Sequence, residues 1–154
     1  IVIDYNTQAI RPLESHKKLV NRMSLDNNVL ILKLFPGITQ NVIDSILSVK
    51  GLKAIVLETY GSGNSPSEEW FMSSLQKAIA KGIIILNVSQ CNGGRVIQGR
   101  YETSKELLNV GVISGTDMTT EAAVTKLMFL LGQESRHSEI IAKLKVPLAG
   151  EMSA

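Results

Sequence analysis

Four short apolar runs divide the chain from residue 29 onward. They begin at Val29, Ala54, Ile83 and Gly111, and they contain few polar positions. Continuous apolar runs of this length are typical of strands that are covered on both faces, as in parallel sheets. The intervals between them are long enough for one helix each. The pattern therefore predicts strands that alternate with helices.

Apolar residues recur at helical spacing in each interval and after the last run. This periodicity predicts helices near residues 42–47, 66–79, 103–109, 119–131 and 138–143. Ser65 and Glu68 are spaced as a capping box, with Pro66 in the first helical position. Asp117 or Thr119 is predicted to cap the fourth helix.

The order of elements predicts an α/β fold: a small Rossmann-like or doubly wound layer with a parallel sheet of about four strands and helices on both faces. Residues 29–154 are predicted to form this domain. Residues 1–28 are interpreted as an inter-domain linker or N-terminal extension, because Pro12 and the Asn27-Asn28 pair are typical of loops. Within them, Leu19, Val20 and Met23 are spaced as one face of a short helix.

Composition excludes several classes of protein. The 154 residues fit one domain, and 16 Lys and Arg against 14 Asp and Glu leave a net charge of +2. This balance argues against a dedicated nucleic-acid or membrane-surface binder. A single cysteine and two histidines exclude a disulfide framework and a cysteine-rich zinc site. No metal or cofactor is predicted, and no apolar stretch reaches the roughly 20 residues of a membrane span.

Glycine and small polar residues follow the predicted strands, where ligands of open α/β sheets bind. Gly61-Ser62-Gly63 has the spacing of a phosphate loop, but Pro66 stands where a third glycine is needed. A tight turn is the better interpretation. Cys91, His16 and His137 are interpreted as loop or surface residues. The residues themselves indicate a binding or regulatory domain without a catalytic set.

The same segments resemble a known family. Residues 60–66 (YGSGNSP), 87–96 (NVSQCNGGRV), 111–122 (GVISGTDMTTEA) and 148–152 (LAGEM) are similar to the C-terminal domain of type I, cytoplasmic bacterial L-asparaginases. The resemblance extends in order and spacing from about Phe35 to the end.

This resemblance implies an enzyme that hydrolyses L-asparagine to L-aspartate and ammonia. The family's nucleophilic threonine and its activating residues lie in a separate N-terminal domain, so no catalytic residue is expected here, and the chain alone is expected to be inactive. The resemblance also implies a cytoplasmic dimer or tetramer. In the family, a Gly-Asn turn completes the neighbouring subunit's site; Gly63 and Asn64 match it, and Tyr101 is expected near it.

Some type I enzymes also bind asparagine as an activator between their domains. Gln90 and Cys91 match part of that possible effector site, and Glu58 lies at another of its positions. Where such enzymes carry an arginine, which would hold a carboxylate bidentately, this sequence has Glu58. A glutamate would repel the carboxylate, so the sequence argues against activation by asparagine.

Two alternatives remain open. The same domain occurs in amidotransferases that act on a tRNA-linked amino acid, although the small net charge weakly disfavours RNA contact. The chain could also be a stand-alone Rossmann-like module that binds a small metabolite.

Overall fold

The computed structural model describes residues 20–97, 99, 102–134 and 136–153. Within them the strands are β1 (Val29–Lys33), β2 (Ala54–Thr59), β3 (Ile84–Ser89) and β4 (Ile113–Ser114), and the helices are α1 (Gln40–Leu47), α2 (Glu69–Ala80), α3 (Glu102–Asn109), α4 (Thr120–Gln133) and α5 (His137–Leu144). The strands pair in parallel in the order β1-β2-β3-β4. The predicted α/β class and four-stranded parallel sheet are confirmed.

The two faces of the sheet are both buried, because successive strand residues point to opposite faces. Ile55 and Leu57 of β2 belong to one apolar core, whereas Ala54 and Val56 belong to another. The first core includes side chains of α1, α2 and α3, and the second includes side chains of α4 and α5. This two-sided burial explains why the strands are apolar without interruption.

The strand order never reverses along the described sheet. Crossovers that step in one direction with right-handed connections place their helices on a single face, and α1, α2 and α3 lie there. The opposite face is covered by α4 and α5, which follow the last strand. The sheet therefore has helices on both faces, as predicted, without the reversal of a doubly wound sheet.

Residues 20–28 form neither helix nor strand, so the short helix expected around Val20 and Met23 is wrong; Leu19 lies outside the described residues. This segment runs beside α4 instead. The amide of Asp26 donates to the carbonyl of Met128 at 2.9 Å. A Cβ at Gly132 would lie 2.4 Å from the carbonyl oxygen of Ser24, so only glycine permits this close approach.

Helix capping follows the sequence in one case and departs from it in another. Thr119 caps α4, and its side chain accepts from the amide of Ala122 at 3.2 Å, as predicted. The capping box predicted at Ser65 is wrong, because α2 begins at Glu69 and its N-cap residue makes no side-chain capping bond. The Ser65 hydroxyl donates instead to the carbonyl of Pro66 at 3.4 Å.

The C-terminal segment is held against α4 by a buried lysine. Lys126, whose side chain is 3 % exposed, forms an ion pair of 2.7 Å with Glu151. Its ammonium also donates to the carbonyls of Val146 and Leu144, at 2.7 and 3.3 Å. Burial raises the pKa of Glu151, but hydrogen bonds from Lys126 and nearby backbone amides outweigh it and lower that pKa to about 2.

No helix in the described ranges combines the length and the apolar character needed to cross a membrane.

Candidate functional site

A cavity of about 450 Å³ lies at the carboxyl edge of the sheet. Residues from the ends of β1, β2 and β3 and from the beginning of α4 line it. The lining includes the three residues predicted for an effector site, together with Lys33, Asp117 and Thr120. The parallel sheet thus brings Glu58, Gln90 and Cys91 to one cavity.

Glu58 is buried and already has partners. Its carboxylate accepts from the hydroxyl of Thr120 at 2.5 Å and pairs with the ammonium of Lys33 at 3.3 Å. Because Thr120 is the first residue of α4, the negative charge also lies near the positive end of a helix dipole. Glu58 is thus paired with a cation from the end of β1.

Gln90 and Cys91 have different environments. The side-chain amide of Gln90 donates to the carbonyls of Leu34 and Glu58, at 2.7 and 2.9 Å, and so joins the ends of β1 and β2. Cys91 is an exposed free cysteine whose backbone amide donates to the hydroxyl of Ser89. Both donor hydrogens of the Gln90 amide are therefore occupied by the backbone, and its oxygen is the remaining polar group.

Asp117 joins the cavity to the C-terminal segment. Its carboxylate accepts from the backbone amide of Ser153 at 2.8 Å and from the hydroxyls of Ser153 and Thr116. Burial raises the pKa of Asp117, but these hydrogen bonds outweigh it and lower the pKa to about 2. The alternative prediction that Asp117 caps α4 is wrong, since Thr119 does so.

The turn formed by residues 60–64 follows β2. The carbonyl of Tyr60 accepts from the amides of Gly63 and Asn64, at 3.0 and 2.9 Å, and the amide of Tyr60 donates to the carbonyl of Asn64 at 2.9 Å. Gly61 and Gly63 have φ values of +51° and +112°, which glycine adopts at little cost. These bonds fix the turn and leave Asn64 half-buried at its end.

Two further contacts hold the turn against the sheet. The hydroxyl of Ser89 donates to the carbonyl of Gly61 at 2.5 Å, and the amide of Ile97 donates to the carbonyl of Ser62 at 3.1 Å. Ser89 also lines the cavity, so the turn and the cavity share a wall. Tyr101, which was predicted near Asn64, lies outside the described residues.

A buried polar pair beneath the turn was missed by the sequence reasoning. Thr59 and Asn87 are both fully buried, and the Thr59 hydroxyl donates to the Asn87 side-chain oxygen at 2.7 Å. The available signal was Asn87 itself, a single amide inside the apolar run of β3. Among the described residues, no cluster of three or more His, Cys, Asp and Glu side chains is arranged to hold a metal ion.

Comparison with known proteins decides the family. Residues 28–144 match the family described as the Glutaminase/Asparaginase C-terminal domain. The chain belongs to that family. The resemblance seen in the sequence is therefore confirmed.

Relatives of this glutaminase/asparaginase domain are much longer than the chain. The chain is 39% identical over 123 residues to L-asparaginase 1 of Escherichia coli, covering 80% of this chain and 36% of that protein. The crystal structure of L-asparaginase I from Vibrio cholerae superposes with a TM-score of 0.81 at 37% identity, over 86% of this chain and 40% of that one.

The domain is also similar to part of an amidotransferase. It is 33% identical over 150 residues to a glutamyl-tRNA(Gln) amidotransferase polypeptide of Pyrococcus abyssi, covering 97% of this chain and 32% of that protein. The chain thus spans about a third of the length of the Escherichia coli protein and of the Pyrococcus abyssi protein.

Proposed function

We propose that residues 29–154 form the C-terminal domain of an L-asparaginase, in which the Gly63–Asn64 turn completes the active site of a neighbouring subunit. The membership of the chain in the glutaminase/asparaginase family supports an amidohydrolase. The catalytic nucleophile belongs to the remainder of the enzyme, and this chain alone is inactive. The functional protein is a dimer or tetramer, and it works in the cytoplasm.

The geometry of the turn carries this proposal. Its hydrogen bonds hold Asn64 at the end of a rigid hairpin that is anchored to β3 through Ser89. An asparagine side chain both donates and accepts, so it suits the ammonium and carboxylate groups of an amino-acid substrate. A preformed turn presents such a side chain without further loss of conformational freedom on binding.

Replacement of Asn64 in the full-length protein tests the proposal. Asn64→Ala is expected to lower kcat/KM for L-asparagine hydrolysis by about 10- to 100-fold, the range for one hydrogen bond to a charged group. The turn is held by backbone bonds, so the variant should keep its fold, as judged by circular dichroism. Asn41→Ala, an exposed position on α1, is the matched control and should leave kcat/KM unchanged. Unchanged kinetics in Asn64→Ala would remove this residue from the site.

Mixing two variants, one impaired and one inactive, tests whether Asn64 acts across subunits. One variant carries Asn64→Ala, and the other lacks the nucleophile supplied by the rest of the enzyme. If sites are shared, mixed dimers contain one intact site, and random mixing should restore about a quarter of wild-type activity. Activity no higher than that of Asn64→Ala alone, after verified subunit exchange, would place Asn64 outside the neighbouring site.

We propose that the cavity lined by Glu58, Gln90 and Cys91 does not act as an asparagine effector site. Glu58 stands where such enzymes carry an arginine, its carboxylate already pairs with Lys33 and Thr120, and both donor hydrogens of the Gln90 amide are engaged. Like charges at close range disfavour binding. The enzyme is therefore expected to follow hyperbolic kinetics in L-asparagine.

A tRNA-dependent amidotransferase is the second candidate, and the similarity to the Pyrococcus abyssi protein favours it. The two functions differ in their dependence on RNA. An L-asparaginase hydrolyses L-asparagine without tRNA, whereas an amidotransferase needs an aminoacylated tRNA as acceptor. Assay of the full-length protein with and without glutamyl-tRNA distinguishes them.

A further inference from the structure

The loop of residues 89–94, which lines the cavity, carries an asparagine followed by a glycine. Asn92-Gly93 is the only such pair in the sequence. It lies in the middle of a turn that the amide of Gly94 closes by donating to the carbonyl of Cys91 at 2.8 Å. Gly93 has a φ of +68°, which glycine adopts at little cost. Both residues of the pair are exposed, so water reaches them from the cavity.

The backbone amide of Gly93 is not held by the loop. The amides on either side are engaged, since that of Cys91 donates to the hydroxyl of Ser89 at 3.0 Å and that of Gly94 closes the turn. Within the described ranges, the Gly93 amide donates no hydrogen bond and the Asn92 side chain makes none. A Cβ at Gly93 would meet no atom within 4 Å, so the space beside this peptide is open. A free backbone nitrogen therefore follows a free side-chain amide.

We propose that Asn92 is a site of spontaneous deamidation, in which the backbone nitrogen of Gly93 displaces the side-chain amide. The nitrogen attacks the side-chain carbonyl carbon of Asn92, forms a bond to it and closes a succinimide ring. The bond from that carbon to Nδ2 breaks, and Nδ2 leaves as ammonia with the proton that the Gly93 nitrogen has lost. Water then adds to one of the ring carbonyls and opens the ring, which gives aspartate or isoaspartate.

Glycine at position 93 allows this attack because it has no side chain to obstruct the nitrogen. Asn87 lacks that advantage, since it precedes the β-branched Val88 and is fully buried in β3. Asn41 also precedes a valine, and its backbone is fixed in α1. A strand or helix holds the backbone in a shape that prevents closure of the ring. The reaction is therefore expected at Asn92 and not at these two asparagines.

The product changes the charge of the cavity. The side chains of Glu58, Asp117 and Glu121 already line it, and a carboxylate at position 92 lowers the formal net charge of +2 by one. Because like charges at close range disfavour binding, conversion makes the cavity a still poorer site for an anionic ligand. The reaction needs only the folded loop and water, so it does not depend on which amide the enzyme hydrolyses.

Peptide mapping of the full-length protein tests the proposal. The protein is incubated in mildly alkaline buffer and then digested with trypsin at mildly acidic pH, at which conversion during digestion is slow. Cleavage after Lys81 and Arg95 gives one peptide that contains both Asn87 and Asn92, so the buried asparagine is an internal control. Fragment masses should show an increase of one dalton at Asn92, in two chromatographic forms for aspartate and isoaspartate, and none at Asn87.

The rate and two variants test the mechanism. The folded protein should convert within about tenfold of the rate of a synthetic peptide of residues 89–95, because exposed loops open locally at almost no cost in free energy. Asn92→Gln keeps an amide that closes such a ring far more slowly, and it should stay unmodified. Gly93→Ala has open space for its Cβ, and it should slow conversion of Asn92 severalfold. Circular dichroism checks that both variants are folded.

Three results would overturn the proposal. An unchanged Asn92 in the folded protein, while the synthetic peptide reacts, would show that the loop protects the pair. Equal rates in Gly93→Ala and the wild type would exclude attack by the backbone nitrogen of residue 93. Equal rates at Asn87 and Asn92 would place the reaction in the unfolded chain and not in the folded loop.

Discussion

The buried ammonium of Lys126 provides a quantitative test of how the C-terminal segment is held. Lys126→Met keeps the length of the side chain and removes its ion pair with Glu151 and its bonds to two carbonyls. Removal of one partner of a buried ion pair costs about 3–5 kcal/mol. Glu151 stays 14 % exposed and keeps hydrogen bonds from the amides of Leu148 and Ala149. We therefore expect a loss near the lower limit, about 3 kcal/mol.

The control is a lysine of the same chemistry at the surface. Lys143 pairs with Glu134, but its side chain is 40 % exposed, so Lys143→Met should cost no more than about 1 kcal/mol. Urea unfolding of both variants, followed by circular dichroism, measures the difference. Equal losses in the two variants would show that burial of Lys126 contributes nothing. Addition of Glu151→Gln to Lys126→Met should recover part of the loss, because the uncompensated charge is removed.

Two further predictions concern acid stability and the cavity. Asp117 and Glu151 have ordinary pKa values of 3.8 and 4.5, and in the folded chain both are lowered to about 2. Because the unfolded chain binds more protons, their contribution to stability is complete above about pH 4.5 and is lost as the pH falls towards 2, which urea titrations across that range should show. Glu58→Arg in the full-length protein is expected to create activation by L-asparagine, measured as a sigmoidal rate curve. Sigmoidal kinetics with Glu58 in place would contradict the charge argument.

The fold could be predicted because its signals are local. Each of the first three strands is apolar enough to be recognised by itself, and Gly51, Gly82 and Pro147 mark the ends of helices. The start of α2 was misplaced because Ser65 has the spacing of a capping residue, while its hydroxyl bonds to the adjacent Pro66. Spacing alone does not determine which group a hydroxyl contacts.

The candidate site could be predicted only in part, since its contacts join distant residues. Glu58 and Thr120 are 62 positions apart, and Asp117 and Ser153 are 36 apart. The rule that ligands bind at the carboxyl ends of parallel strands brought Glu58, Gln90 and Cys91 to one edge. It gave no information on which side chains are already paired there. The roles proposed for Gly63 and Asn64 rest on the family resemblance, and the Thr59–Asn87 pair became visible only in three dimensions.

The placement of α4 and α5 after the last strand has a consequence for synthesis on the ribosome. Among the described helices, those that cover the face of the sheet formed by Ala54, Val56 and Leu86 lie in residues 120–144, which are made last. At roughly 5–20 residues per second, the nascent chain exposes this apolar surface for seconds. Ribosome-bound chains that stop before residue 120 should therefore recruit chaperones or aggregate. Chains long enough for α4 and α5 to emerge from the ribosome should no longer need chaperones.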